Sequence, residues 1–260
     1  MTAQLFARDV GTGPPLLLLH AFPLSSAMWL AQREGLAARF RVVTPDLRGF
    51  GGSRLGDDEP SVDLMADDVA LLLRRLGIAR AVIGGVSMGG YVAMALCRRH
   101  PDVVKGLLLA ATRATADTDA VRDVRLRHAE TLERDENVAV LVDEVLPGLV
   151  GSTTMRQRAL VYGRVRGLVQ ATPPAAAAWA QRAMAVRSDA FATLRDVKVP
   201  ALILHGDEDA LATEDEARAI ADALPNAELQ TIPRSGHLTP VEQPDLFNQT
   251  VAEFTAALGP

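Results

Sequence analysis

Three short stretches of this chain hold side chains that can do covalent chemistry together. Gly85-Val86-Ser87-Met88-Gly89 fits G-x-S-x-G, the pattern of a sharp strand-to-helix turn that exposes a serine hydroxyl. Its glycines have a physical job, because side chains two residues to either side of a strained serine backbone would collide. The turn aims Ser87 Oγ outward and leaves the Met88 N–H at a helix N-terminus, where a developing anion is stabilised. Gly206-Asp207-Glu208-Asp209 supplies two aspartates and Ser235-Gly236-His237 an imidazole. A serine, a base and a carboxylate that orients the base make an activated nucleophile. The bland reading of Ser87 alone is a helix cap beside a glycine turn, and the elements carrying the three stretches decide between the two.

Residues 5–10 read as an edge strand, and the apolar run 16–19 as a strand buried on both faces of a parallel sheet. Residues 39–44, 81–83, 103–110, 199–204 and 228–232 supply further strands. Ser61 starts a helix with Met65, Val69, Leu72, Leu73 and Leu76 on one stripe and Gly77 at its C′ position. Asp63, Asp67 and Asp68 near its start, with Arg74 and Arg75 at its end, complement the helix dipole. The helix after Ser87 must stop by His100, because Pro101 follows. Thr213-Glu214-Asp215-Glu216 is a capping box, and Phe247, Val251, Phe254 and Leu258 share a face of a final helix. Alternating strands and helices predict a parallel sheet covered on both sides. Ser87, the Asp207/Asp209 pair and His237 each fall just after a strand, and in a parallel sheet those ends share one edge.

Between residues 113 and 189 the pattern is helical only. Residues 119–134 are amphipathic, 138–145 and 153–169 fit two more helices, and Thr172-Pro173 reads as the N-cap and N1 pair of a fourth. Residues 175–178 are four alanines, strong helix formers. The division expected is a core of residues 1–112 and 190–260 with a helical insertion at 113–189.

At 48% hydrophobic residues and a net charge of −5, the chain is a globular sequence with ample core and no basic tract for nucleic acid. No apolar run approaches the roughly 20 residues that span a bilayer. The start, Met1-Thr2-Ala3-Gln4, lacks the features of a signal peptide, and a single cysteine, Cys97, excludes an intrachain disulfide. A cytoplasmic location is therefore expected. Cys97 reads as a small core residue. There is no metal-ligand spacing or dinucleotide fingerprint, and Gly49 to Gly52 lack the Lys-Ser/Thr of a phosphate loop.

The order serine, acid, histidine resembles that of the α/β-hydrolases. The likeness runs along nearly the whole chain, through His20-Ala21-Phe22-Pro23, Asp46-Leu47-Arg48-Gly49-Phe50-Gly51-Gly52-Ser53, the Ser87 turn, Gly206-Asp207-Glu208-Asp209 and Ser235-Gly236-His237. Each signature is weak alone, and their agreement in this order removes the cap-only reading of Ser87. The resemblance implies a mostly parallel twisted sheet of seven or eight strands flanked by helices, with residues 113–189 as a lid. It implies Ser87 as nucleophile, His237 as general base and Asp209 as the acid that orients it. The family's acid stands three residues after the glycine, which favours Asp209 over Asp207 and leaves Asp207 and Glu208 as solvated turn residues. The oxyanion hole would use the backbone N–H groups of Phe22 and Met88, with Ala21 standing where relatives commonly carry glycine. His20 reads as structural, His100 and His128 as surface residues, and His205 as a strand-end residue beside Asp209.

Among relatives the chain is similar to the branch of enol-lactonases, small carboxylesterases and cofactor-free haloperoxidase-type perhydrolases. The function implied is cleavage of a small ester or lactone through an acyl-enzyme, with no cofactor, no metal and no nucleic-acid or membrane partner. C–C bond hydrolysis or perhydrolysis with the same three residues is the enzymatic alternative, and a small-ligand receptor on the same scaffold the non-enzymatic one. Lids shape the acyl pocket, so Trp179, Met155, Tyr162 and Met184 are candidates to line it, against packing within the lid. Residues 113–189 hold eleven arginines, ten acidic residues and no lysine, a net +1. Arg156, Arg158, Arg164 and Arg166 lie in a run without acids, read either as a solvated face or as the source of an inward arginine for a substrate carboxylate.

Overall fold

Leu16, Leu17, Leu18 and Leu19 are all fully buried, which a strand achieves only when both of its faces are covered. The computed structural model describes residues 3–259; Met1 and Thr2 of the N-terminal stretch, and Pro260, lie outside the described residues. Seven strands form one sheet: β1 (Ala7–Val10), β2 (Pro15–Leu19), β3 (Arg41–Pro45), β4 (Ala81–Val86), β5 (Val104–Ala110), β6 (Ala201–Gly206) and β7 (Ala227–Ile232). Their order is β1-β3-β2-β4-β5-β6-β7. Only β1 runs antiparallel, pairing Ala7 with Pro45, so six strands point their carboxyl ends the same way. The chain winds outward from β2 in both directions, placing a crevice between the loops that follow β2 and β4.

Helices α1 (Leu30–Leu36), α2 (Val62–Arg75), α3 (Met88–Arg99), α4 (Asp119–Asp135), α5 (Ser152–Gln157), α6 (Ala159–Gln170), α7 (Pro174–Ala185), α8 (Phe191–Asp196), α9 (Glu214–Ala223), α10 (Thr239–Glu242) and α11 (Pro244–Ala257) complete the framework. Ser61 caps α2 by accepting the Leu64 N–H. Thr213 and Glu216 form the reciprocal capping box of α9. Phe247 and Val251 of α11 are fully buried, and the Leu258 side chain that follows the helix packs over Gly106 of β5, its Cδ1 2.5 Å from where a Cβ would lie.

Four local expectations are corrected. The helix expected at 138–145 is present from residue 139 but is not α throughout: Leu141–Val145 is a π-helical turn that runs into a 3-10 turn at Leu146–Gly148, where Pro147 cannot donate the N–H that a longer helix needs. The predicted helix 153–169 breaks at Arg158, whose φ −126° and ψ 59° separate α5 from α6. Helix α7 begins one residue later than expected, with Pro173 at the cap, while the Thr172 hydroxyl donates to the Pro23 carbonyl. Between Pro23 and Arg39, where the pattern assigns no element, a 3-10 turn at Ser26–Trp29 leads into α1.

A fifth correction concerns charge. Asp68 is completely buried rather than serving the α2 dipole. Its carboxylate takes a two-pronged grip from Arg48, with Nε to Oδ2 and Nη2 to Oδ1 both at 2.9 Å. The glycine-rich loop before it wraps Asp46, whose Oδ2 accepts the Gly52 N–H at 2.8 Å. A Cβ at Gly51 would meet that oxygen at 2.1 Å, so here glycine serves a structural carboxylate. Cys97 is buried among core residues, and burial pushes its thiol up to about 12, away from nucleophilic use.

Candidate active site

The carboxyl ends of β2, β4, β5, β6 and β7 surround one cavity. Ser87 sits at the tip of β4 with φ 54° and ψ −116°, a conformation unfavourable for any residue with a Cβ. Close backbone contact enforces it. A Cβ at Gly85 would lie 2.2 Å from the Gly89 carbonyl oxygen, and one at Gly89 would lie 2.2 Å from that of Leu19. The Ser87 N–H donates to the Ala110 carbonyl at 3.0 Å, and the Thr112 hydroxyl donates to the Ser87 carbonyl at 2.9 Å. Met88 opens α3, so its N–H is among the first amides of the helix, which have no partner within it.

The loop after β6 brings Asp209 to the loop after β7. His237 Nδ1 lies 2.9 Å from Asp209 Oδ2 and 3.1 Å from Oδ1. Oδ1 also accepts the N–H groups of Leu211 at 2.8 Å and Ala212 at 3.1 Å. Burial disfavours ionisation of Asp209, but His237 and these two amides outweigh it and hold the carboxyl below the ordinary aspartate range. Since a carboxylate only accepts, Nδ1 carries the proton and Nε2 is left for the cavity. Asp207 is exposed and accepts the Ser235 N–H at 3.2 Å, so it shapes the histidine loop without reaching the imidazole.

His20 supports the loop after β2. Its Nε2 accepts the Leu47 N–H at 2.9 Å, which puts the ring proton on Nδ1, 3.0 Å from the Ala21 carbonyl. Burial lowers its pKa to about 4, keeping the ring neutral. Ala21 is not among the described non-glycine residues with positive φ, so the backbone beside Phe22 needs no glycine.

The cavity encloses about 300 Å³; Phe22, Ser87 and His237 line it from the core, and Arg125, His128, Gln181 and Met184 from α4 and α7. Of the four side chains suggested from the sequence for this wall, only Met184 reaches it. Trp179 turns toward the Arg48 loop, donating its Nε1–H to the Asp58 carbonyl at 2.8 Å. Met155 is half-exposed on α5, and Tyr162 packs against the core from α6. The arginine run also points elsewhere: Arg156 bonds Ser152, Arg158 the carbonyls of Arg234 and Glu242, and Arg164 the Ala27 carbonyl, while Arg166 is exposed. Two other arginines, Arg113 and Arg125, border the cavity. His128 is buried in its wall instead of lying at the surface, and His100 is half-buried against Asp67 at 2.7 Å. His205 is buried at the end of β6.

Glu208 and Glu242 tie the helical segment to the two loops that carry Asp209 and His237. Glu208 accepts the Thr153 N–H at 2.7 Å and its hydroxyl at 2.5 Å, so it is an anchor rather than a solvated turn residue. Glu242 is buried and accepts from the Gly151 N–H at 2.8 Å, the Thr154 hydroxyl at 2.6 Å and the Gly236 N–H at 2.9 Å. Burial pushes its carboxyl above the ordinary range, against the pull of these donors. In a Glu242→Gln variant, whichever way the amide turns, its NH₂ faces a backbone N–H. A loss of about 1–3 kcal/mol is expected, read as a lower urea midpoint; an unchanged midpoint would mean that the clamp contributes nothing to stability.

Among the described residues no group of three or more His, Cys, Asp and Glu side chains is placed to hold a metal ion. No helix there is long and apolar enough to cross a membrane.

A strained serine after the central strand, an Asp–His pair on the ends of β6 and β7 and one shared cavity lie at the carboxyl edge of an α/β fold whose sheet is parallel but for β1. The family model for the alpha/beta hydrolase fold matches residues 14–244, and the chain belongs to that family. It is 30% identical to the AB hydrolase superfamily protein YisY of Bacillus subtilis, over 96% of this chain and 95% of that one. Among solved structures, a malate-bound thermophilic esterase from Thermogutta terrifontis superposes with a TM-score of 0.96 at 39% identity, covering 99% of this chain and 95% of that one. The enol-lactonase from Burkholderia xenovorans LB400 gives a TM-score of 0.88 at 29% identity, covering 97% of this chain and 96% of that one.

Proposed function

We propose that this chain is a serine hydrolase that cleaves a small carboxylic ester or lactone through an acyl-enzyme. The observation that carries the reading is the Asp209–His237 pair, 2.9 Å apart, with the imidazole and Ser87 opening on the same cavity. Ser87 Oγ attacks the carbonyl carbon while His237 Nε2 takes its proton. The resulting oxyanion accepts from the Met88 and Phe22 N–H groups, each such donor being worth about 3 kcal/mol in the transition state. Collapse expels the alcohol, protonated by His237. Water, deprotonated by the same ring, then releases the acid. Asp209 holds the Nδ1–H tautomer and stabilises the imidazolium.

Residues 113–189 act as the lid in this reading, since α4 and α7 form the far wall of the cavity. The similarity to an esterase and an enol-lactonase supports the ester and lactone classes. The test is turnover of p-nitrophenyl butyrate together with labelling by a fluorophosphonate, the adduct being located by mass spectrometry. A single adduct on Ser87 with loss of turnover is expected. Labelling elsewhere, or ligand binding without any turnover, would overturn the assignment.

A further inference from the structure

The loop that carries His237 has no side chain to brace it on the approach to the imidazole, because residue 236 is glycine. A Cβ there would lie 2.2 Å from the Gly151 nitrogen, and one at Gly151 would lie 2.8 Å from the Gly236 nitrogen. Two backbones therefore touch directly, one leading into His237 and the other into α5. Glu242, at the end of α10 and 3% exposed, holds them together. Its Oε1 accepts the Gly236 N–H at 2.9 Å, and the Leu238 N–H on the other side of His237 also favours its ionised form. Its Oε2 serves α5, accepting the Gly151 N–H at 2.8 Å and the hydroxyl of the fully buried Thr154 at 2.6 Å.

Backbone N–H groups only donate, so they need this carboxylate, and a buried carboxylate needs them. One side chain is thus shared between the loop that aims the imidazole and a residue 88 positions earlier. A second strap runs beside it. Glu208, next to Asp209, accepts the Thr153 N–H and hydroxyl and donates its own N–H to the Ser235 carbonyl at 2.9 Å. Just upstream, Leu149 lines the Ser87 cavity. Residues 149–154 therefore run from the cavity wall to both carboxylates.

We propose that Glu242 and Thr154 are positioning residues for the hydrolysis: His237 is held in place to serve Ser87 only while residues 151–154 are docked on the Glu242 carboxylate. This rests on the serine-hydrolase reading above and adds that the helical segment completes the active site instead of only covering it. Neither residue lines the cavity, so their effect passes through the histidine loop. Misplacing a reacting group by about 1 Å costs up to about a hundredfold in rate. Because proton transfer is made only in the transition state, the loss falls on kcat and leaves KM in place.

Thr154→Val removes one hydroxyl at nearly unchanged shape and touches neither the Asp209 nor the His237 loop. Its kcat for p-nitrophenyl butyrate, per site titrated to completion with fluorophosphonate, is expected to fall about tenfold, with KM within about twofold of wild type. Glu242→Gln should lose about thirtyfold or more. The double variant should lose no more than Glu242→Gln alone, since Thr154 acts through that carboxylate. The proton between His237 Nδ1 and Asp209, seen by NMR as a downfield resonance that His237→Ala abolishes, should shift or broaden in both single variants. Should Glu242→Gln fail to fold, Thr154→Val carries the kinetic and NMR tests alone. Wild-type kcat per titrated site with that resonance unmoved, whatever the urea midpoint, would make the clamp merely structural and overturn the proposal. Additive losses in the double variant would overturn the route through Glu242. A resonance that moves in the variants, while wild type turns over no ester and takes no fluorophosphonate, would uphold the coupling of α5 to His237 and sink the hydrolase reading.

Discussion

Ser87→Ala should lower kcat for p-nitrophenyl butyrate by about five to six orders of magnitude, leaving about a thousandfold advantage over water from the oxyanion donors and substrate positioning. The fold should survive, because alanine has the same Cβ as serine and adds no strain at φ 54°. Ser87→Gly separates the two consequences of the turn. It removes the nucleophile equally but relieves a conformation that costs about 1–3 kcal/mol, partly offset by glycine's greater freedom in the unfolded chain. Its unfolding free energy should exceed that of Ser87→Ala by about 1 kcal/mol. Double substitution with His237→Ala should add little to the loss of kcat, since nucleophile and base act as one unit. Near-wild-type turnover by a clean Ser87→Ala preparation would end the covalent mechanism.

How much of this was legible in the sequence follows from what each feature depends on. The Ser87 turn is readable because Gly85 and Gly89 are dictated by backbone atoms about two ångströms from where a Cβ would go, a constraint that few residue types satisfy. Leu16 to Leu19 are readable because burial on both faces erases the alternation of a half-exposed strand. The cavity wall formed by α4 and α7 is not readable in this way. Periodicity gives α7 a buried side, yet Ala176, Ala177, Ala178 and Ala180 are all buried. With so much of the helix covered, only its docked register decides that Met184 meets the cavity while Trp179 meets the Arg48 loop. The buried charges escape the same reading for another reason. Asp68 and Arg48 are twenty residues apart, as are Ser26 and Asp46, and local dipole logic assigns Asp68 to the wrong partner. Asp117 and Arg125, by contrast, sit eight apart around the start of α4. The buried cluster appears only when Arg187, from beyond α7, arrives at the same carboxylate.

Asp209→Asn should lower kcat about ten-thousandfold, whereas Asp207→Asn should cost no more than a few-fold. Asparagine at 209 can present its NH₂ to Nδ1, which forces the ring proton to Nε2 and leaves no base facing Ser87. It also removes the charge that stabilises the imidazolium. At 207 the carboxylate only accepts the Ser235 N–H, 3.2 Å away, a bond the asparagine oxygen can keep. Stability offers a second, independent readout. The folded-state pKa of Asp209 is depressed, so its ionised form contributes stability that is present above the unfolded-chain value of about 3.9. That contribution is lost as pH falls through the lower folded-state value. The asparagine variant lacks it, so the gap in unfolding free energy between wild type and Asp209→Asn should narrow as pH drops below about 4. Steady-state kinetics with the reverse ranking, a crippled Asp207→Asn beside an active Asp209→Asn, would transfer the orienting role to Asp207 despite its exposure.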